Sequence, residues 1–189
     1  LFDKYDTFEK ADEPFFAQIQ LVATHRGDWW DEVRENSKHP VNPDKVVLPP
    51  YMADDPTVRL DWAKYLDQME YIDAEIGMIY KELEEKGMAE NTIVIFLSDN
   101  GATAEQINRG DRHVPGAVSG SADSYLALGP GWSTAANTPF SLHKHWNHEG
   151  GIATPFIVSW PAGIEAGGEL RTTPAHAIDV VPTLLDLAG

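Results

Sequence analysis

A chain of 189 residues, 42% hydrophobic and 23% charged, has enough apolar material for one domain with a core and is not a disordered polymer. Its formal net charge of -16 disfavours non-specific binding to nucleic acid or an anionic membrane, and it repels sulfated or phosphorylated ligands at long range unless local cations or a metal offset it. The absence of cysteine excludes disulfides, thiolate zinc sites and a cysteine nucleophile, and no apolar run reaches the roughly 20 residues of a membrane span.

The chain opens on Leu1-Phe2-Asp3-Lys4, with neither initiator methionine nor the basic and apolar stretches of a signal peptide, and it stops abruptly at Gly189. Both ends read as those of a piece of a longer protein. Residues 15–23 mix aromatic and branched side chains with glutamines, which predicts a strand delivering Thr24-His25-Arg26 at its end. Five prolines and no sustained period predict a long surface loop over 26–56. Asp55-Pro56 then has the form of an N-cap followed by proline at the first helical position. Trp62, Leu66, Met69, Ile72, Ile76, Ile79 and Leu83 recur at helical spacing as one core-facing stripe, and Gly87 is a natural stop. The continuous apolar run 92–97 predicts a strand buried on both faces. Residues 101–140 read as a second long loop, 152–160 as a strand closed by Pro161, and 178–187 as a helix with Pro182 tolerable only near its first turn. Helix, buried strand and polar turn in succession make the fold class α/β.

Ligands of open α/β sheets bind at strand ends, and three polar clusters sit there or in the adjoining loops. Asp99-Asn100, directly after the run 92–97, offers hard oxygen donors suited to calcium or magnesium, with Gly101 allowing a sharp turn. The same residues are strong turn formers, and spacing alone favours that plainer role. Lys144 is a point charge able to neutralise a sulfate or phosphate oxygen. His143, His145 and His148 around it read as solvated or hydrogen-bonded loop residues, because zinc would need three or four ligands. Glu149-Gly150-Gly151 reads as backbone-shaping, and His25 alone as structural.

The combination is more specific than its parts. Leu97-Ser98-Asp99-Asn100-Gly101 resembles the second metal-binding motif of type I sulfatases, the formylglycine-dependent arylsulfatases of the alkaline-phosphatase superfamily. Asn137-Thr138-Pro139-Phe140, continuing through Lys144 to His148-Glu149-Gly150-Gly151-Ile152-Ala153-Thr154-Pro155, is similar to the Lys-to-Glu-Gly-Gly segment of that family. The stretch 124–132 resembles what precedes that segment in bacterial arylsulfatases. Ile72-Asp73-Ala74-Glu75-Ile76-Gly77 and Ile178-Asp179-Val180-Val181-Pro182-Thr183-Leu184-Leu185 resemble the long and closing helices of the family.

The resemblance implies a mixed, largely parallel sheet flanked by helices, alkaline-phosphatase-like, of which 1–189 would be the C-terminal part of the catalytic domain. It implies that Asp99 and Asn100 ligate a divalent metal, usually calcium, and that Lys144 contacts a sulfate oxygen and the leaving group. His25 would contact sulfate and assist departure of the leaving group. The implied activity is hydrolysis of sulfate monoesters, with an aryl sulfate or a sulfated sugar as partner and a periplasmic or secreted setting. No Cys/Ser-x-Pro-x-Arg motif occurs from which the formylglycine nucleophile could be made, and the family's paired aspartates have no counterpart, since Asp54-Asp55 follows no buried strand. Both are expected upstream, so the chain alone is expected to be inactive. A phosphatase, phosphodiesterase or phosphonate hydrolase of the same superfamily is the alternative, opposed by the Lys144 to Gly151 segment, and a non-catalytic binding module is another.

Overall fold

The computed structural model describes residues 14–26, 28–105, 114–117, 128–165 and 167–189. Among them run α1 (Asp28–Asn36), α2 (Pro56–Glu85), β1 (Val94–Leu97), α3 (Gly129–Ala136), the single turn α4 (Glu149–Ile152), β2 (Phe156–Ser159) and α5 (Val180–Ala188). Helices and strands are both present, as an α/β reading requires.

Helix α2 forms where its capping and periodicity place it. The Asp55 carboxylate accepts from the Thr57 N–H at 2.8 Å, and Pro56 occupies the first turn, where its missing N–H costs nothing. Met88 N–H bonds back to the Leu83 carbonyl at 2.9 Å as the helix ends. The buried face differs from the expected apolar stripe. Ile72 and Leu83 are buried, but Met69 is 37% exposed, while Asp67 and Gln68 are only 3% and 0% exposed.

The reason is α1, a helix inside the segment 26–56 that the sequence reads as loop. Trp30 and Val33, one turn apart, are buried against α2, and removing each from water is worth about 2 kcal/mol. Polar groups of α1, of the chain after it and of α2 then bridge the two helices. Arg34 Nη1 donates to Asp67 Oδ2 at 2.6 Å, the Val41 N–H donates to Asp67 Oδ1 at 2.7 Å, and Gln68 Nε2 donates to the Trp29 carbonyl at 3.3 Å. A buried carboxylate is tolerated here because a guanidinium and a backbone N–H satisfy it.

Residues 15–23 correct a second expectation, since the segment joins no sheet among the described residues and ends in a turn, His25 N–H to Val22 carbonyl at 3.0 Å. Its alternation is that of a strand, but a strand needs a neighbour for its backbone groups. The largely parallel sheet is likewise not what the described residues form. β1 and β2 pair antiparallel, Val94 opposite Ser159 through Leu97 opposite Phe156. The segment 152–160 is strand only from Phe156, because Glu149–Ile152 is a helical turn. In the 101–140 loop, Gly129–Ala136 is helical, while part of the stretch 124–132 lies outside the described residues. The closing helix begins at Val180, after a 3-10 turn over Ala177–Asp179, with Pro182 in its first turn as expected.

An aromatic cluster joins the helices. Trp62 stacks on Trp132 of α3 with ring centroids 5.5 Å apart, and Trp30 meets Trp132 edge-on at 6.3 Å. The Arg26 guanidinium lies 4.8 Å from the Trp30 centroid and 5.9 Å from that of Trp132, held by a two-pronged ion pair to Asp61 at 2.6 and 3.0 Å.

Candidate active site

The antiparallel pairing decides what meets at the end of β1. Chain leaving β1 runs beside chain entering β2, so Ser98–Gly101 lies along Gly151–Pro155. Ser98 N–H donates to the Pro155 carbonyl at 3.3 Å, Thr154 Oγ1 to the Ser98 carbonyl at 2.9 Å, and Gly101 N–H to the Gly151 carbonyl at 3.0 Å. The approach is backbone on backbone. A Cβ on Gly101 would lie 1.8 Å from the Gly150 carbonyl oxygen, and one on Gly150 would lie 2.0 Å from that of Leu142. Glycine is required at both positions by space, not by turn conformation. That supports reading Glu149-Gly150-Gly151 as a backbone-shaping segment.

The lysine loop is stitched to the same turn. The Lys144 N–H donates to the Ala102 carbonyl at 2.9 Å, three residues after Asp99. Asn137, at the end of α3, joins them: its Oδ1 accepts from the Ala102 N–H at 2.9 Å, and its Nδ2 donates to the Leu142 carbonyl at 3.2 Å. The Lys144 side chain is half-buried and forms no ion pair with a described residue. His145, next to it, holds φ at +81° and pairs through Nε2 with Glu105 Oε1 at 2.7 Å. That hydrogen bond is the main reason the Glu105 carboxyl is held below its ordinary range, with Lys144 adding a smaller attraction. His143 is half-buried with Nδ1 at 3.4 Å from the Lys144 carbonyl, and His148 precedes α4 as an exposed residue. Glu105 carried no signal of its own in the sequence, and Asn137 carried only its place in the 137–155 motif, since a role defined by two distant backbone partners has no local pattern.

Asp99 is exposed and Asn100 half-buried, and neither side chain bonds a described residue. Their oxygens fit calcium or magnesium in kind. They fall short in number: no group of three or more His, Asp or Glu among the described residues could hold an ion. His25 stands apart. It is exposed, its Nδ1 bonds the Val22 carbonyl at 3.1 Å, and no hydrogen bond among the described residues ties it to Asp99, Asn100 or Lys144. Its link to the lysine loop is indirect, through Arg26 against Trp132 and so through α3 to Asn137.

The turn and the lysine loop joined here belong to the two segments that chiefly carry the sequence resemblance, and comparison with known proteins agrees. The chain is 32% identical over 136 residues to an arylsulfatase of Klebsiella aerogenes, covering 66% of this chain and 29% of that protein. It is 30% identical over 193 residues to a sulfatase of Formosa agariphila, covering 95% of this chain and 27% of that one. Mouse (Mus musculus) steryl-sulfatase is 33% identical over 126 residues, 66% of this chain and 17% of its own length. The chain thus spans less than a third of each of these relatives. The family model described as Sulfatase matches residues 1–189 from end to end, and the chain belongs to the sulfatase family.

Proposed function

We propose that the protein to which this chain belongs hydrolyses sulfate monoesters, and that residues 1–189 form the C-terminal part of its catalytic domain. One observation carries the reading: the antiparallel junction puts the Asp99-Asn100 turn against the Lys144 loop through the 2.9 Å bond from Lys144 N–H to the Ala102 carbonyl. In this reading Asp99 and Asn100 hold a calcium or similar ion, which when bound would supply positive charge to the sulfate oxygens. Lys144 neutralises charge on the sulfate and the leaving oxygen as their bond breaks. His25 gives the departing alcohol its proton. The nucleophile, a formylglycine, would come from residues outside these 189, as would the remaining metal ligands. The substrate is an aryl sulfate or a sulfated sugar.

The chain's short share of its relatives' length supports its being part of a larger domain, as do the apolar side chains of β2: Phe156 and Ile157, on opposite faces, are 50% and 59% exposed. In the whole domain we expect a mixed, largely parallel sheet with β1 and β2 as an antiparallel pair within it.

The test is turnover by the full-length protein with a chromogenic aryl sulfate, a sulfated monosaccharide and the matching phosphate esters. Lys144→Ala is expected to lower turnover of the sulfate ester about a hundredfold to a thousandfold, with a far smaller change for His143→Ala. Equal losses at both positions, or a normal rate for Lys144→Ala, would remove Lys144 from the chemistry. Faster turnover of the phosphate esters would reassign the reaction.

A further inference from the structure

A single side-chain amide ties together the two loops of the proposed site. Asn137 Oδ1 accepts from the Ala102 N–H at 2.9 Å, while Nδ2 donates to the Leu142 carbonyl at 3.2 Å and, at the limit of a bond, to the Ala102 carbonyl at 3.5 Å. The Ala102 carbonyl also receives the Lys144 N–H at 2.9 Å. The N–H and the carbonyl of one residue, Ala102, are therefore both held, three residues beyond Asp99, by the amide that also holds the loop two residues before Lys144. Leu142 stands at φ +66°, a conformation that non-glycine residues adopt unwillingly, and the Nδ2 bond fastens the carbonyl of this residue.

The amide is itself well anchored. Asn137 N–H bonds the Ser133 carbonyl at 3.1 Å at the end of α3. Ser133 is fully buried, and its hydroxyl bonds the Gly129 carbonyl at 2.7 Å and reaches the Thr103 carbonyl, next in sequence to Ala102. An N–H can only donate and a carbonyl can only accept, so the partners demand a group that does both. An aspartate here would keep the Ala102 bond and turn a carboxylate oxygen on the Leu142 carbonyl. Alanine would remove the side-chain bonds to both loops and leave only the backbone bonds between them.

We propose that Asn137 is a positioning residue, setting the Asp99-Asn100 turn and Lys144 in one fixed relation without touching substrate or metal; this rests on the function proposed above. The experiment uses full-length enzyme carrying Asn137→Ala or Asn137→Asp, each alone and combined with Lys144→Ala. The readouts are kcat and KM on an aryl sulfate in saturating calcium, calorimetric titration of the metal-free protein with calcium, and Tm.

The expected result is a loss of about tenfold to hundredfold in kcat, the scale on which small misplacements act, with KM shifted less than about threefold. Calcium should bind about threefold to tenfold more weakly, because the turn is no longer pinned. In the Lys144→Ala background the effect on kcat should shrink below about twofold, as coupled residues do not add. Arg34→Ala, whose guanidinium bonds Asp67 and the Val41 carbonyl and neither site loop, controls for general loosening: it should lower Tm with kcat unchanged. Asn137→Asp keeps half of the clamp and is the variant to read if Asn137→Ala does not fold. A rate and calcium affinity within twofold of the parent in Asn137→Asp, while Lys144→Ala is impaired, would overturn the clamp and leave the proposed function standing. So would losses fully additive with Lys144→Ala. A normal rate for Lys144→Ala with calcium binding still weakened by Asn137→Asp would overturn the function and retain the clamp.

Discussion

Gly150 and Gly77 show how one residue type carries opposite constraints in this chain. A Cβ at Gly150 would lie 2.0 Å from the Leu142 carbonyl oxygen and 2.5 Å from that of Ser141, both backbone atoms that cannot rotate aside. At Gly77, inside α2, nothing lies within 4 Å. Gly150→Ala is therefore expected to destabilise by about 1–3 kcal/mol or more through overpacking. Gly77→Ala should be neutral or stabilising by up to about 1 kcal/mol, the helix-propensity difference. Urea midpoints of the two variants at unchanged m-value check the contrast; equal midpoints would mean that the 141–151 loop yields easily. The sequence already marks Glu149-Gly150-Gly151 as backbone-shaping. Which carbonyls crowd the glycines depends on Leu142 and Ser141 folding back, and no local rule supplies that.

Among the elements, α2 was the most legible and α1 the least. The Asp55 cap, Pro56 and a stop at Gly87 all act within a few residues, so they can be read in order. Among the described side chains of α1, Trp30 and Val33 are the buried ones, too few to make a period, and the prolines that follow suggest loop. The pairing of α1 with α2 also explains why Asp67, which lies off the apolar stripe, is buried. Its side chain is 1% exposed and held by Arg34 and the Val41 N–H. Asp67→Ala should thus cost about 3–5 kcal/mol, leaving Arg34 uncompensated. Asp55→Ala, which removes only an exposed cap, should cost about 1 kcal/mol. Chemical denaturation of both variants makes the comparison, and a loss at Asp67 no greater than at Asp55 would show the pair to be dispensable.

For the molecule as a whole, the 189 residues contain no Cys/Ser-x-Pro-x-Arg motif, and the proposed reading draws only Asp99 and Asn100 from them as metal donors. Positioned charge without a nucleophile leaves little chemistry, so this chain alone is expected not to turn over an aryl sulfate. Calcium takes about six to eight oxygens, so calorimetry on the chain alone should show no submicromolar site. A tight site would mean that other acidic side chains complete the shell around Asp99 and Asn100, and turnover matching a complete sulfatase would overturn the need for an outside nucleophile.

Composition, the α2 signals and the motifs at 97–101 and 137–155 were enough to reach an α/β chain of the sulfatase family, because capping, periodicity and motif spacing are local properties. Strand direction is not local. In a parallel pair, the segment leading into β2 would sit beside the start of β1, a strand's length from Asp99. The antiparallel register, with Leu97 opposite Phe156, reverses this and delivers the lysine loop to the Asp99-Asn100 turn. Backbone hydrogen bonding between segments far apart in sequence, Ala102 with Lys144, Gly101 with Gly151 and Ser98 with Pro155, with Asn137 as the cross-brace, is what only the tertiary structure decided.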